Sequence, residues 1–143
     1  MPIPARVSLI TLGVRDVRAS TIFYSALGFE PSSASVDGEV TFFRTAGAVL
    51  AVWGRDELAA DANQTAPAGG FGGTAVAINL DSRAEVDAAI ADAVAAGGTV
   101  PKPATATEWG GYSGYFADPD GNLWEVAHNP FWPLDERGLP QLP

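Results

Sequence analysis

The chain has 143 residues, 47% of them hydrophobic, which suits one domain with a sizeable core. It contains no cysteine, which excludes disulfides, thiolate metal sites and cysteine nucleophiles. A formal net charge of −9 argues against nucleic acid and anionic membranes as partners, because both attract positive surfaces. The sequence has neither a basic leader nor an apolar run of roughly 20 residues, so we expect a cytoplasmic protein without a membrane span.

The first half of the chain, residues 5–58, is predicted to form a strand, a helix and a hairpin. The β-branched run from Val7 to Val14 predicts the strand. The helix that follows can be capped by Asp16 or by Ser20. Two β-rich runs on either side of residues 45–47 predict the hairpin. The apolar side chains expected to pack this helix are Val17, Ile22, Phe23 and Leu27.

The second half repeats this order after a linker of small residues, Gly and Pro at 59–73. Residues 74–128 are predicted to form a strand, a helix, an extended connector with prolines at a sheet edge, and a closing hairpin. Ser82 can cap this helix and Gly97–Gly98 can end it. Residues 129–143 form a tail outside both modules of this single domain. The apolar stripe predicted for the helix is Val86, Ala89, Ile90, Ala93 and Val94.

The two halves can be aligned with each other, because each has the same order of elements. When the ends of the first strands and the turn glycines are matched, a carboxylate in the last strand of the second half aligns with an alanine in the first half. The aligned pairs are Val14 with Leu80, Gly47 with Gly121, Leu9 with Ala75, and Ala51 with Glu125.

Two stretches together resemble the vicinal oxygen chelate superfamily, which includes glyoxalase I, bleomycin-resistance proteins, fosfomycin-resistance enzymes and extradiol dioxygenases. They are "LGVRDVRASTIFYSALGFEP" (Leu12–Pro31) and "YFADPDGNLWEVA" (Tyr115–Ala127). The resemblance extends over Val7–His128. It implies an α+β fold of two βαβββ modules that form an open, barrel-like cleft. It also implies a homodimer, since members commonly pair.

The resemblance further implies four metal-ligand positions in the cleft, held by His, Glu or Gln in metal-dependent members. Three of these positions are aliphatic here, namely Leu9, Ala51 and Ala75, and the fourth is Glu125. One carboxylate falls short of the three or more protein ligands of a stable divalent site. The single histidine, His128, has odd spacing from Glu125 and is predicted on the other face of the strand. We therefore expect no bound metal and no cofactor.

Glu125 is the leading catalytic candidate, because an unpaired carboxylate in an apolar strand is costly unless it has a partner or a purpose. It can act as a general base or anchor a ligand, or it can be a leftover of the family pattern that is satisfied by hydrogen bonds. Tyr115 lies on the partner strand of the hairpin and can donate to it. The alternative for Tyr115 is core packing.

Four further residues are predicted to bind the ligand. Trp53 alternates with Ala51 and should face the cleft, whereas Trp124 should face a helix. Trp109 and Tyr112 lie in a glycine-rich segment that suits a lid over a planar ligand. Arg44 can pair with a ligand carboxylate. Ordinary packing, or a solvated position for the arginine, is the alternative in each case.

The sequence thus predicts a protein that binds a small aromatic or amphipathic molecule, with metal-independent acid–base chemistry possible at Glu125. The alternative is a metal-dependent lyase of the lactoylglutathione lyase type or an extradiol dioxygenase, whose ligands would lie elsewhere. A purely structural module would leave Glu125 unexplained, and whether the chain is an enzyme stays open. In the tail, Phe131 and Trp132 are expected to be buried, in part by a second subunit.

Overall fold

The computed structural model describes residue 3, residues 5–66 and residues 70–143. The chain divides into two compact units, Met1–Pro67 and Ala68–Pro143. Each unit contains a four-stranded sheet of mixed strand direction and a helix between its first two strands. This confirms the predicted α+β fold of two βαβββ modules. No helix in the described part of the chain is both long and apolar enough to cross a membrane.

The first unit has the strand order β1-β4-β3-β2, with β1 parallel to β4 and the other pairs antiparallel. One face of this sheet packs against the first helix, where the Tyr24 and Phe43 rings lie 5.8 Å apart. The elements are β1 (Leu9–Val14), α1 (Val17–Ala26), β2 (Glu30–Pro31), β3 (Val40–Arg44), β4 (Val49–Gly54) and α2 (Arg55–Asp61).

Helix α1 begins at an aspartate cap, which settles one of the alternatives that the sequence left open. The Asp16 carboxylate accepts a hydrogen bond of 3.1 Å from the backbone N–H of Ala19. Ser20, the other candidate, is buried within the helix. Val17 and Phe23 are buried as predicted, but the packing role predicted for Ile22 is wrong, because its side chain is 71% exposed.

The second unit has the order β5-β8-β7-β6, with β5 parallel to β8. Its helix begins at Ser82, as predicted, and the Ser82 hydroxyl accepts a hydrogen bond of 3.1 Å from the Glu85 N–H. Of the predicted stripe, Val86 and Ala93 are buried, whereas Val94 is half exposed and lies off the packed face. The elements are β5 (Ala75–Asn79), α3 (Arg83–Ala95), β6 (Thr99–Ala106), β7 (Tyr112–Ala117) and β8 (Leu123–His128).

Strand β6 is a full edge strand, where the sequence predicted an extended connector. Its pairing with β7 is irregular twice, between Thr99 and Lys102 and again between Lys102 and Thr105. Each irregularity contains one proline, Pro101 or Pro103, as expected for a residue that cannot donate to a sheet ladder. The prediction of prolines at a sheet edge is therefore confirmed.

Two short elements were not predicted. Strand β2 has only two residues, and α2 continues directly from β4 into the start of the predicted linker. Part of that linker, residues 67–69, lies outside the described residues. Helix α2 passes so close to β1 that a Cβ on Gly13 would lie 3.0 Å from the Cβ of Arg55. This close approach favours glycine, since a larger residue would push α2 away by a few tenths of an ångström.

The two sheets share one register, which supports the alignment of the two halves. In the first sheet β1 and β4 pair Leu9 with Val49 and Thr11 with Ala51. In the second sheet β5 and β8 show the equivalent pairs, with Ala75 opposite Leu123 and Ala77 opposite Glu125. Ala51 and Glu125 therefore occupy equivalent positions in their own sheets.

Candidate functional site

The turn before β8 is held by one buried carboxylate. Asp118, 2% exposed, accepts hydrogen bonds from the backbone N–H groups of Asp120 at 2.9 Å and Asn122 at 2.8 Å. Its second oxygen accepts from the Asn122 side-chain amide at 2.7 Å. Gly121 takes a φ of +85°, which favours glycine. This turn explains the "DPDGN" motif structurally and fixes where Glu125 falls on β8.

Glu125 and Tyr115 lie directly opposite each other on neighbouring antiparallel strands. Both side chains are half-buried. The negative charge of Glu125, then burial, then a hydrogen bond to Glu125 raise the pKa of the Tyr115 hydroxyl. At neutral pH the Tyr115 phenol therefore keeps its proton. The pair thus places a hydrogen-bond donor, the phenol, beside an acceptor, the Glu125 carboxylate.

This pair lies on the sheet face away from α3. Trp124 and Val126, the neighbours of Glu125 along β8, are buried, and Trp124 stacks on Phe116 with ring centroids 5.9 Å apart. His128 also lies on the α3 side, where its Nδ1 is 3.0 Å from the Leu80 carbonyl oxygen. As predicted, His128 does not share a face with Glu125.

One residue of this face was missed by the sequence interpretation. Lys102 of β6 is in register with Tyr115, and Ala77 of β5 is in register with Glu125. One row across the sheet therefore contains Ala77, Glu125, Tyr115 and Lys102. The small Ala77 leaves the carboxylate accessible from its side. The irregular pairing of β6 hid this alignment from any reading of residue spacing.

Tyr112 is not brought together with this pair. Its hydroxyl donates a hydrogen bond of 2.6 Å to Asp87 of α3, and the Arg83 guanidinium lies 5.2 Å from its ring centroid. The hydrogen bond to Asp87 is the main cause that raises the pKa of Tyr112. Tyr112 thus faces α3, and its role in ligand binding stays a prediction.

Trp109 precedes β7 and is 48% exposed. Its ring covers Gly111, so a Cβ added there would overlap the ring unless the Trp109 side chain moved. A Cβ on Gly110 would lie 3.1 Å from the Phe131 ring. Phe131 is 68% exposed and Trp132 is 38% exposed within the chain. The chain itself thus covers more than half of Trp132 but leaves most of Phe131 open, so the burial expected for Phe131 is not provided within the single chain. We call Trp109, Phe131 and Trp132 the aromatic patch.

In the first unit, Trp53 and Ala51 lie on the sheet face away from α1, as their alternation predicts. Trp53 is half-buried and pairs with Val40 and Gly13 on its neighbouring strands. At the far end of this face a cavity of about 300 Å³ is lined in part by Arg44. The cavity belongs to the first unit and the Tyr115–Glu125 pair to the second.

Comparison with known proteins gives the family. Residues 6–126 match the family profile of the glyoxalase/bleomycin resistance protein/dioxygenase superfamily. The chain belongs to this superfamily. The resemblance to the vicinal oxygen chelate proteins is thereby confirmed. No functionally curated protein matches the sequence.

Solved structures of the superfamily resemble this chain over most of its length. A glyoxalase-related enzyme from Fulvimarina pelagi is 37% identical, with a TM-score of 0.85, and the match covers 96% of this chain and 98% of the other. A family protein from Nocardioides is 27% identical, with a TM-score of 0.72 and coverage of 90% and 85%. A lactoylglutathione lyase from Agrobacterium tumefaciens is 28% identical, with a TM-score of 0.67 and coverage of 90% and 96%.

The residues present do not fit the divalent metal of the metal-dependent superfamily members. Leu9 and Ala51 share one face of the first sheet, and Ala75 and Glu125 share one face of the second. Aliphatic side chains offer no donor atom, so these four positions supply one carboxylate. Among the described residues, no group of three or more His, Cys, Asp or Glu side chains is placed to hold a metal ion.

Proposed function

We propose that this superfamily member binds a small aromatic or amphipathic molecule and performs metal-independent acid–base chemistry on it. The observation that carries the proposal is the Tyr115–Glu125 pair, on a sheet face where Ala77 leaves the carboxylate accessible. A carboxylate beside a protonated phenol is a combination suited to moving a proton. The cytoplasmic location predicted from the sequence is part of this proposal.

The two side chains have different roles in this chemistry. Glu125 accepts a proton from an acidic O–H or C–H group of the ligand. In the free protein the one proton of the Tyr115 hydroxyl is donated to Glu125. Once Glu125 has taken the ligand's proton, the phenol turns and donates its hydrogen bond to the ligand oxygen that gains negative charge. Lys102, in register with Tyr115, adds a positive charge to the same row. Trp109, which belongs to the same unit, is proposed as an aromatic surface on which a planar ligand stacks. The ligand-binding role of Trp53, in the first unit, stays a prediction.

A binding experiment with 2-naphthol tests this proposal, because the probe is planar and its hydroxyl can donate to a carboxylate. We expect saturable binding by calorimetry and a roughly tenfold weaker affinity in Glu125→Gln, since a hydrogen bond to a charged acceptor is lost. The Tyr115 pKa should also fall in this variant, because the charge that raises it is gone. Chelator treatment should leave the affinity unchanged.

Glu39→Gln is the matched control, since Glu39 is an exposed carboxylate in the first unit and its loss changes the net charge equally. Equal affinities for wild type, Glu125→Gln and Glu39→Gln would contradict the proposal. So would the absence of saturable binding.

The second candidate is a metal-dependent lyase or dioxygenase, favoured by the 28% identity to a protein described as a lactoylglutathione lyase. Elemental analysis separates the two candidates. The proposed function predicts much less than one Ni, Zn, Fe or Mn per chain. A value of about one per chain, together with loss of binding or activity on chelation, would favour the metal-dependent alternative.

We also propose a homodimer, supported by the exposure of the aromatic patch in the single chain. Replacing both Phe131 and Trp132 with serine should weaken the dimer in sedimentation equilibrium, by about tenfold or more in dissociation constant. Phe71→Ser is the control, because Phe71 is 75% exposed and lies outside the patch. An unchanged assembly state in the double variant would rule out the patch as the dimer interface.

A further inference from the structure

The cavity of about 300 Å³ in the first unit has a chemistry of its own. Its apolar walls include Leu9, Phe42 and Val49, which lie on the sheet face away from α1. Leu9 is 48% exposed, so this wall is open to an entering molecule. A cavity of this volume is within the range of small-molecule sites.

Two polar groups line the same cavity. Arg44, at the end of β3, is exposed, and its side chain has no hydrogen bond or ion pair with any other described residue. The Ser32 hydroxyl accepts a hydrogen bond of 3.1 Å from the Ala34 N–H, which leaves its own proton available to donate. A guanidinium and a hydroxyl at an apolar cavity match a ligand with one anionic end.

An acidic competitor is Glu30, which is opposite Arg44 in the pairing of β2 and β3. Both side chains are exposed and they form no ion pair in the structure. Arg44 therefore keeps its donors for a ligand, although Glu30 lowers the local positive potential. Removing the charge of Glu30 should strengthen the binding of an anion.

We propose that this cavity binds a small apolar monocarboxylate. The hydrocarbon or aromatic part lies against Leu9, Phe42 and Val49, and the carboxylate is held by Arg44 and Ser32. The site is complete within the first unit. It rests on the small-molecule binding proposed above and names the class of ligand for the first unit. It does not need Glu125 or Tyr115, so the Arg44 and Glu125 variants distinguish failure of this site from failure of the proposed acid–base chemistry.

The test compares naphthalene-2-carboxylate with naphthalene-2-carboxamide, which has the same ring system and no charge. Binding is measured by calorimetry and by NMR of the labelled Leu and Val methyl groups. The carboxylate should bind more tightly and shift the methyl signals of Leu9 and Val49. Arg44→Met should weaken carboxylate binding about tenfold and leave carboxamide binding nearly unchanged. Arg18→Met, an exposed site on α1, is the control of equal charge.

A second pair of variants tests the cavity itself. Ala34→Phe should block both probes, because Ala34 lines the cavity, and Ser33→Phe should not, because it is exposed beside the cavity without lining it. Glu30→Gln should tighten carboxylate binding, and Glu125→Gln should leave it unchanged. Equal loss of both probes in Arg44→Met would overturn the proposal, and so would full binding to Ala34→Phe. Absence of saturable carboxylate binding at millimolar concentration would also overturn it.

Discussion

Replacing Gly114 with valine is expected to lower the free energy of unfolding by about 3 kcal/mol. A Cβ at this position would lie 2.7 Å from the Ala104 backbone nitrogen and 2.8 Å from its Cα. It would also lie 3.0 Å from Cδ1 of Ile90 on α3. The Ala104 contacts are to backbone, so β6 and β7 would have to move apart. Chemical denaturation followed by tryptophan fluorescence measures the loss.

The control for this change is Gly72→Val. Gly72 has nothing within 4 Å of a built Cβ, and its φ lies outside the region that favours glycine. Its stability should therefore stay within about 0.5 kcal/mol of wild type. Gly114→Ala should already be destabilised, because the clash begins at Cβ. Wild-type stability in Gly114→Ala would show that β6 accommodates a side chain there.

Replacing Asp118 with alanine is expected to cost about 2–4 kcal/mol of unfolding free energy. The change removes the carboxylate that accepts three hydrogen bonds. The backbone N–H groups of Asp120 and Asn122 then lose this acceptor in a partly buried turn. Glu125 follows this turn on β8, so the probe binding proposed for Glu125 should weaken as well. Thermal melting and 2-naphthol calorimetry measure the two effects.

Asp118→Asn divides this effect into parts. The amide keeps one oxygen that can accept from both backbone N–H groups, but its nitrogen faces the Asn122 amide donor. The loss should therefore be smaller than for alanine. Asp92→Ala, at an exposed position of α3, is the control for loss of an aspartate. Equal stability of Asp118→Ala and Asp92→Ala would show that the turn forms without its carboxylate.

The helices were predictable where capping and composition agreed. Ser82 caps α3 as predicted, because two local signals favour the same helix. The Ser82 hydroxyl can accept from the Glu85 N–H, and the residues that follow are rich in alanine. The predicted burial of Ile22 and Val94 was wrong. Periodicity shows which helix residues are apolar, but it does not show which of them the sheet covers. Helix α2 was missed because it follows Gly54 with no side-chain cap, although Asp56 and Glu57 in its first turn were a usable signal.

The site was predictable to the extent that it depends on local spacing. Tyr115 and Glu125 are opposite each other because the turn between them is short, so the hairpin pattern alone aligned them. Lys102 joins the row only through the irregular pairing of β6, which spacing cannot show. The cavity beside Arg44 combines β1, β3, β4 and the segment after β2, and such long-range packing has no signature in any one stretch of sequence.

The two irregularities of β6 also decide how another protein chain can meet this edge of the second sheet. Pro101 and Pro103 have no N–H group, and the interrupted register breaks the regular row of donors and acceptors that an added strand needs. Fibril-like stacking and addition of a foreign strand are therefore disfavoured at β6. A partner that approaches this edge has to be recognised by side chains, one of which is Lys102.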